Sequence, residues 1–238
     1  MKAMLFAAGL GTRLKPFTDN KPKALAEVNN ATLLEHNIRY LQRFGITDVI
    51  INVHHFAHLI EETVQASNHW GSNITISDER KEVLETGGGL KKAMPFFEGE
   101  QAFVVMNVDV LTNLDLTKLI NSHTSAHSLA TLAVIKRDSS RHLLFDADMT
   151  LCGWKNNKSN EERIARHVPS ASPYAFSGIQ VVSPDIWHNT QLSGKFSLID
   201  LYLHVAKEHI IKGFDHTGDL FIDVGKPESI AQAEQLFK

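Results

Sequence analysis

An α/β fold, with a mostly parallel sheet covered by helices, is what this 238-residue sequence predicts, and three observations carry that prediction. Short apolar runs bounded by turn residues alternate with longer segments of helical period. One early run opens into a glycine-bearing loop, and two later runs end in an aspartate, which are the positions where open α/β sheets hold ligands. With 43% hydrophobic residues, the chain is long enough to bury a large core.

Taken in order, Ala3 to Ala7 predicts a first buried strand, Val49 to Val53 a second, Ile74 to Ser77 a third and Phe103 to Met106 a fourth. Between the first two strands, Leu33, Leu34, Ile38, Leu41 and Phe44 recur at spacings of three and four, so one helix face is apolar before Gly45 ends it. Leu59, Ile60, Thr63 and Val64 repeat that pattern less cleanly. After Asp109 the pattern changes, and Leu129 to Ile135, Leu143 to Phe145 and Ala175 to Val182 read as strands of a mixed sheet. The polar stretch from Lys155 to Pro169 reads as an exposed insertion or lid. A closing helix is predicted from Lys226 to Phe237, with Pro227 near its start. No repeat, linker or low-complexity tract divides the chain, so a single domain over residues 1–238 is expected.

A formal charge of −3 and the absence of any Lys or Arg run leave no electrostatic footprint for nucleic acid or an anionic membrane. Small ligands are the expected partners, with the chain a monomer or homodimer. Cys152 is the one cysteine, which excludes an intrachain disulfide framework and a cysteine-rich zinc site and fits a reducing compartment. The apolar stretch at Met1 to Gly9 is too short to span a bilayer and is broken by glycine, so a cytoplasmic location is expected.

The first strand runs directly into Ala7-Ala8-Gly9-Leu10-Gly11-Thr12-Arg13-Leu14. Small residues after a strand let backbone N–H groups converge on an anion such as a triphosphate. Arg13 offers a planar fork and Lys23 a mobile point charge to the same ligand. A dinucleotide fingerprint would need a third glycine where Leu14 stands, and a Walker A loop would need a Gly-Lys-Ser/Thr that is absent. An NAD-linked dehydrogenase is disfavoured on the same ground. On the glycine pair alone, a tight strand-to-helix turn is an equally good reading; Arg13 and Lys23 shift the balance toward a phosphate site.

The string from Gly9 to Thr18, followed by Lys21-Pro22-Lys23-Ala24-Leu25, resembles the signature of the sugar-1-phosphate nucleotidyltransferases. That resemblance implies a Rossmann-like three-layer sandwich. It also implies a nucleoside triphosphate wrapped by the loop and attack of a sugar 1-phosphate on the α-phosphorus, with release of pyrophosphate. Carried over by position, the backbone of Ala7, Ala8, Gly9, Gly11 and Thr12 would hold base and phosphates. Arg13 would meet the departing pyrophosphate, and Lys23 would lie near the α-phosphate. The nucleotide-binding part would occupy about residues 1–110 and the sugar-binding part about 111–238.

Phe103 to Asp109 is an apolar run ending in a carboxylate, and Leu220 to Gly225 carries a second such aspartate, Asp223. Two converging carboxylates suffice as protein ligands for Mg²⁺, which keeps phosphate oxygens and waters in its remaining positions. Taken alone, each aspartate reads first as a turn residue or helix cap. The likeness of Asn107-Val108-Asp109 and Asp223-Val224-Gly225 to the family's metal motifs assigns both to Mg²⁺. Val108 departs from the family by standing where a glycine is usual, and an adjusted backbone is expected there.

Glu85-Thr86-Gly87-Gly88-Gly89 sits just before a helical segment, where it reads either as a flexible turn or as a backbone passing close to a flat base. By resemblance, Glu85, Thr86, Gly87 and Gly88 would lie against the nucleobase, and the spelling is most similar to enzymes making UDP-N-acetylmuramate from N-acetylmuramate 1-phosphate and UTP. The chain's close after Asp223, with no long extension, agrees with that group. Asn107, Ser177 and Gly178 would line the sugar side. Open alternatives are a mannose- or heptose-1-phosphate guanylyltransferase, a glucose-1-phosphate uridylyl- or thymidylyltransferase, and a non-catalytic nucleotide-sugar binding regulator. His54, His55 and His58 have no evident third partner and read as a hydrated helix start rather than a metal site. Asn52 reads as a strand-end asparagine that could approach the base, and Cys152 as a buried thiol.

Overall fold

The computed structural model describes residues 1–237; Lys238, the last residue of the expected domain, lies outside them. The order is β1 (Ala3–Phe6), β2 (Glu27–Val28), β3 (Ala31–Thr32), α1 (Leu33–Gln42), β4 (Asp48–Val53), α2 (Ala57–Ala66), β5 (Asn73–Asp78) and α3 (Glu85–Ala93). There follow β6 (Phe103–Asn107), β7 (Val110–Thr112), α4 (Leu116–Ala126), β8 (Ala130–Ile135), β9 (Arg141–Phe145), β10 (Leu151–Asn156) and β11 (Glu161–Ile164). The last elements are β12 (Ser172–Val182), α5 (Leu198–Val205), β13 (Ile211–Asp215), β14 (Phe221–Asp223) and α6 (Pro227–Leu236).

Strands β5, β4, β1 and β6 lie side by side and parallel, with Leu5 opposite Ile51 on one flank and Met106 on the other. The eleven-residue β12 then reverses direction and joins β6 to β9 and β8, while β9, β10 and β11 continue as an antiparallel meander. Period-two alternation sorts the core. Ala3 and Leu5 face one layer with Ile38, Leu41, Ile60 and Leu119 from α1, α2 and α4. Met4 and Val105 face the other, with Leu90 of α3 and Leu201 and Tyr202 of α5. The result is the α/β/α sandwich of the Rossmann-like type.

Two expectations change in detail. The polar stretch at 155–169 contains a strand: Trp154 to Asn156 pair antiparallel with Glu161 to Arg163, so exposed polar side chains sit on a ladder at the sheet edge. The three glycines after Thr86 do not precede a helix but form its first turns, because a segment without Cβ atoms lets another backbone close upon it. The predicted α1 and α6 are present, with Thr32 capping the first and Pro227 opening the second. No helix among the described residues is long and apolar enough to cross a membrane.

Candidate active site

Gly11 begins the site. Its φ of 64° is the left-handed region that side chains disfavour, and a Cβ there would stand 3.0 Å from Thr18 Cγ2. Thr18 Oγ1 donates to the Gly11 carbonyl at 2.9 Å and closes the loop on itself. A single 3₁₀ turn over Thr12–Leu14 follows, so Leu14 enters a small apolar cluster while Arg13 stays in solvent.

A second 3₁₀ turn over Lys23–Leu25 buries Ala24 and Leu25 and thereby directs Lys23 inward. Its ammonium forms an ion pair with Asp109 and stands 3.9 Å from Asp223 Oδ1. The lysine and Asp109 side chains are 12% and 18% exposed, against 43% for Asp223, so the pair is shielded while Asp223 opens to the cleft. Asp109 follows β6 and Asp223 ends β14. They meet because β14 pairs antiparallel with β7, and the Val224 amide donates to the Asp109 carbonyl at 2.8 Å. Partial burial, and then the charge of Asp109, hold the Asp223 carboxyl above the ordinary range against the opposing pull of Lys23, Arg13 and Arg137. A divalent cation is a strong means of relieving that repulsion. Two all-oxygen groups on one edge, the rest of the sphere open to phosphate and water, suit Mg²⁺ in number and hardness. Val108 does not obstruct them: it is 4% exposed and packs in the core, and its carbonyl accepts from Asn37 Nδ2 at 2.9 Å.

Two clefts lie along the glycine-loop segment, which lends Ala8 and Gly9 to one and Arg13 to the other. One, of about 310 Å³, is lined by Phe6, Ala8, Gly9, Asn52, Glu85 and Thr86. The other, of about 630 Å³, is lined by Arg13 and Asp223 together with Arg141, His142, Trp154 and Phe176. Ala8, Gly9, Glu85 and Thr86 therefore face one cleft, and Arg13 and Asp223 face the other. Gly87 and Gly88 do not. Both amides donate to the Phe196 carbonyl, at 2.9 and 3.2 Å, and both residues are buried. Their missing side chains admit the 194–196 segment rather than a base. Asn107 and Gly178 are in contact, since a Cβ on Gly178 would fall 2.6 Å from Asn107 Nδ2, and Gly178 has a φ of 73°. Ser177 is turned away from the clefts: it is 1% exposed and its hydroxyl meets His216 Nε2 at 2.7 Å.

Asn52 stands near the end of β4 and lines the smaller cleft, and its side chain is also engaged within the protein. Its Oδ1 accepts from the Ala7 amide at 2.8 Å, and its Nδ2 donates to Glu79 Oε1 at 2.8 Å. Glu79, 2% exposed, also accepts from the Leu84 amide at 3.2 Å. The glycine loop and the start of α3 are thus tied through one buried carboxylate. Sequence reasoning missed Glu79 and the cleft residues Arg141 and Trp154, because nothing local marks a residue that acts across strands. His54 Nδ1 meets the Glu79 carbonyl at 2.8 Å, and no group of three or more metal-ligating side chains occurs among the described residues. Cys152 is a buried thiol whose burial pushes its pKa up.

The fold is a three-layer sandwich with a glycine loop and paired carboxylates at the strand ends, and its residues 2–145 match the nucleotidyl transferase family, to which the chain belongs. Over 240 residues it is 31% identical to the N-acetylmuramate alpha-1-phosphate uridylyltransferase of Caulobacter vibrioides, covering 98% of this chain and 95% of that protein. It is 30% identical over 231 residues to the D-glycero-alpha-D-manno-heptose 1-phosphate guanylyltransferase of Campylobacter jejuni, covering 96% of each. The crystal structure of HddC from Yersinia pseudotuberculosis complexed with GMP-PN is similar at a TM-score of 0.80 and 26% identity, over 100% of this chain and 99% of that one. The enzyme class is sugar-1-phosphate nucleotidyltransferase.

Proposed function

We propose that the protein transfers the uridylyl group of UTP to N-acetylmuramate 1-phosphate, giving UDP-N-acetylmuramate and pyrophosphate. The observation that carries the chemistry is the Lys23 ammonium held between Asp109 and Asp223, with Asp223 lining the larger cleft and the glycine loop lining the smaller one. In this reading the base occupies the smaller cleft against Ala8, Gly9, Glu85 and Thr86, and the sugar occupies the larger one. The amides of the loop and the guanidinium of Arg13 hold the β- and γ-phosphates. Lys23 approaches the α-phosphate and aligns the attacking oxygen of the sugar phosphate. That oxygen forms a bond to the α-phosphorus while the bond to the α,β-bridging oxygen breaks, and pyrophosphate leaves with the electron pair. No general base is needed, because the attacking group is already an anion. Asp109 and Asp223 would hold Mg²⁺, which supplies charge neutralisation at the reacting phosphates when bound. Asn107 and Gly178 stand on the sugar side.

The choice of N-acetylmuramate and UTP rests on the spelling of residues 85–89 and on the 31% identity over nearly the whole chain. The similarly long match to the heptose enzyme supports the same chemistry with GTP as the second reading. We place the protein in the cytoplasm as a single domain serving peptidoglycan recycling. The test crosses a panel of sugar 1-phosphates with the nucleoside triphosphates and measures pyrophosphate release with Mg²⁺ and with chelator. The reading requires N-acetylmuramate 1-phosphate with UTP to give the highest kcat/KM and chelator to abolish turnover. Preference for another pair refutes the substrate assignment, and no release with any pair refutes the chemistry.

A further inference from the structure

We propose that Arg141, with His142 beside it, is a carboxylate-recognition point that selects sugar 1-phosphates bearing a second negative charge on the ring; the inference rests on the larger cleft being the sugar site. Arg141 opens β9, whose tip is fixed because the Arg141 amide donates to Ser139 Oγ at 3.2 Å and the strand pairs with β10 as far as Asn156. His142 is held by its ring nitrogens, one 3.3 Å from the Arg137 carbonyl and the other 3.3 Å from Asn157 Nδ2. Both residues line the cleft that Arg13 and Asp223 also line. Among the described residues Arg141 has no ion-pair partner, and Asp223 is the one acid in the lining.

The position of this charge separates it from the reacting phosphates. Arg141 belongs to β9, which pairs with β12 at Ser172 to Tyr174, whereas Asp109 follows β6, which pairs with β12 at Ile179 to Val182. The two segments of β12 are separated by an irregular stretch between Phe176 and Gln180. The attacking phosphate lies beside Lys23 and the two aspartates, which stand on other segments than the strand that carries Arg141. The ring lies between them, over Phe176 and Trp154, and whatever reaches Arg141 is a substituent of the sugar. A neutral hydroxyl gives no reason for an unpaired guanidinium at that point, whereas a carboxylate matches the planar fork of arginine; His142, both ring nitrogens engaged, packs beside it.

Two carboxylated sugars fit this chemistry, an ether-linked lactate on N-acetylmuramate and the C6 acid of a glucuronate. The test uses the full chain with saturating nucleoside triphosphate. It compares kcat/KM for N-acetylmuramate 1-phosphate against N-acetylglucosamine 1-phosphate, and for glucuronate 1-phosphate against glucose 1-phosphate. For the favoured acid, Arg141→Ala and Arg141→Gln are expected to lower the acid-to-neutral ratio about tenfold through KM, with Arg141→Lys losing less. Melting temperatures confirm that the variants fold. A ratio unchanged in all three variants overturns the inference and leaves the N-acetylmuramate assignment standing. A wild-type preference for glucuronate 1-phosphate, lost in Arg141→Ala, keeps the inference and overturns that assignment. A wild-type preference for the neutral sugars overturns both.

Discussion

Lys23→Met separates two roles of one cation. In the free protein the ammonium stands between Asp109 and Asp223, where it occupies part of the space a divalent ion would use. Its attraction to Asp223 at 3.9 Å would be about 4 kcal/mol at an effective dielectric of 20. Because the Asp223 side chain is 43% exposed, solvent screening reduces this to about 1 kcal/mol. Losing the shielded pair with Asp109 costs about 2 kcal/mol more, so the variant should fold with a lowered melting temperature. Turnover should fall about a hundredfold or more, close to 3 kcal/mol of transition-state stabilisation, since a cation beside the reacting phosphate is lost. Binding of Mg²⁺ without nucleotide should move the other way. A unit positive charge about 4 Å from a divalent ion opposes it by about 2 kcal/mol even in bulk water, so its removal should tighten binding at least about tenfold. Calorimetric titration with Mg²⁺ and continuous measurement of pyrophosphate release read the two effects separately. Turnover within about threefold of wild type, or Mg²⁺ affinity weakened along with turnover, would refute the reasoning.

Asp223, held above the usual carboxylate range, binds a proton more readily folded than unfolded. Stability of the free protein should therefore fall as pH rises between the unfolded and folded values, and Mg²⁺ affinity should drop on acidification before an ordinary aspartate titrates; a binding midpoint in the ordinary aspartate range would count against it. His123, buried against Thr131 and Ser128, is lowered from 6.5 to about 4. Its stabilisation is complete above pH 6.5 and declines toward pH 4 by about 3 kcal/mol, so denaturant curves of His123→Leu should lose that slope. Asn52→Ala leaves the Ala7 amide and Glu79 short of partners, at about 2 kcal/mol or more of stability. The KM for nucleotide should rise more than kcat falls, and an unchanged KM would show that the tie does not set the base cleft. Gly88→Ala drives a Cβ into the Gly194 carbonyl. About 1–3 kcal/mol of destabilisation is expected in thermal melts, with weaker nucleotide binding as Glu85 and Thr86 shift.

Periodicity carried much of the fold. The strands β1, β4, β5 and β6 and the helix α1 were legible because each buries a continuous run or an apolar stripe that needs no distant partner to be noticed. Elements without such a stripe were not. The β10–β11 hairpin is polar on its exposed side, and its ladder is satisfied by backbone alone, so composition points to a loop. The glycines of α3 misled in the opposite sense. Intrinsic propensity disfavours a helix there, and only the approach of Phe196 and Gly194 stabilises one.

Of the site, the glycine loop, Arg13, Lys23, Asp109 and Asp223 could be named from the sequence because a long local spelling surrounds each of them. Their meeting could not, since it depends on β7 pairing with β14, which lies more than a hundred residues away in the chain. Tertiary structure also decided that Ser177 turns inward to His216, that Asn52 serves Glu79 and the loop, and that Arg141 lines the larger cleft. Local sequence determines which chemical groups are present and how the nearby backbone bends. Which of those groups share a few ångströms, and which are spent on each other before a ligand arrives, is set by strand order and packing between distant segments.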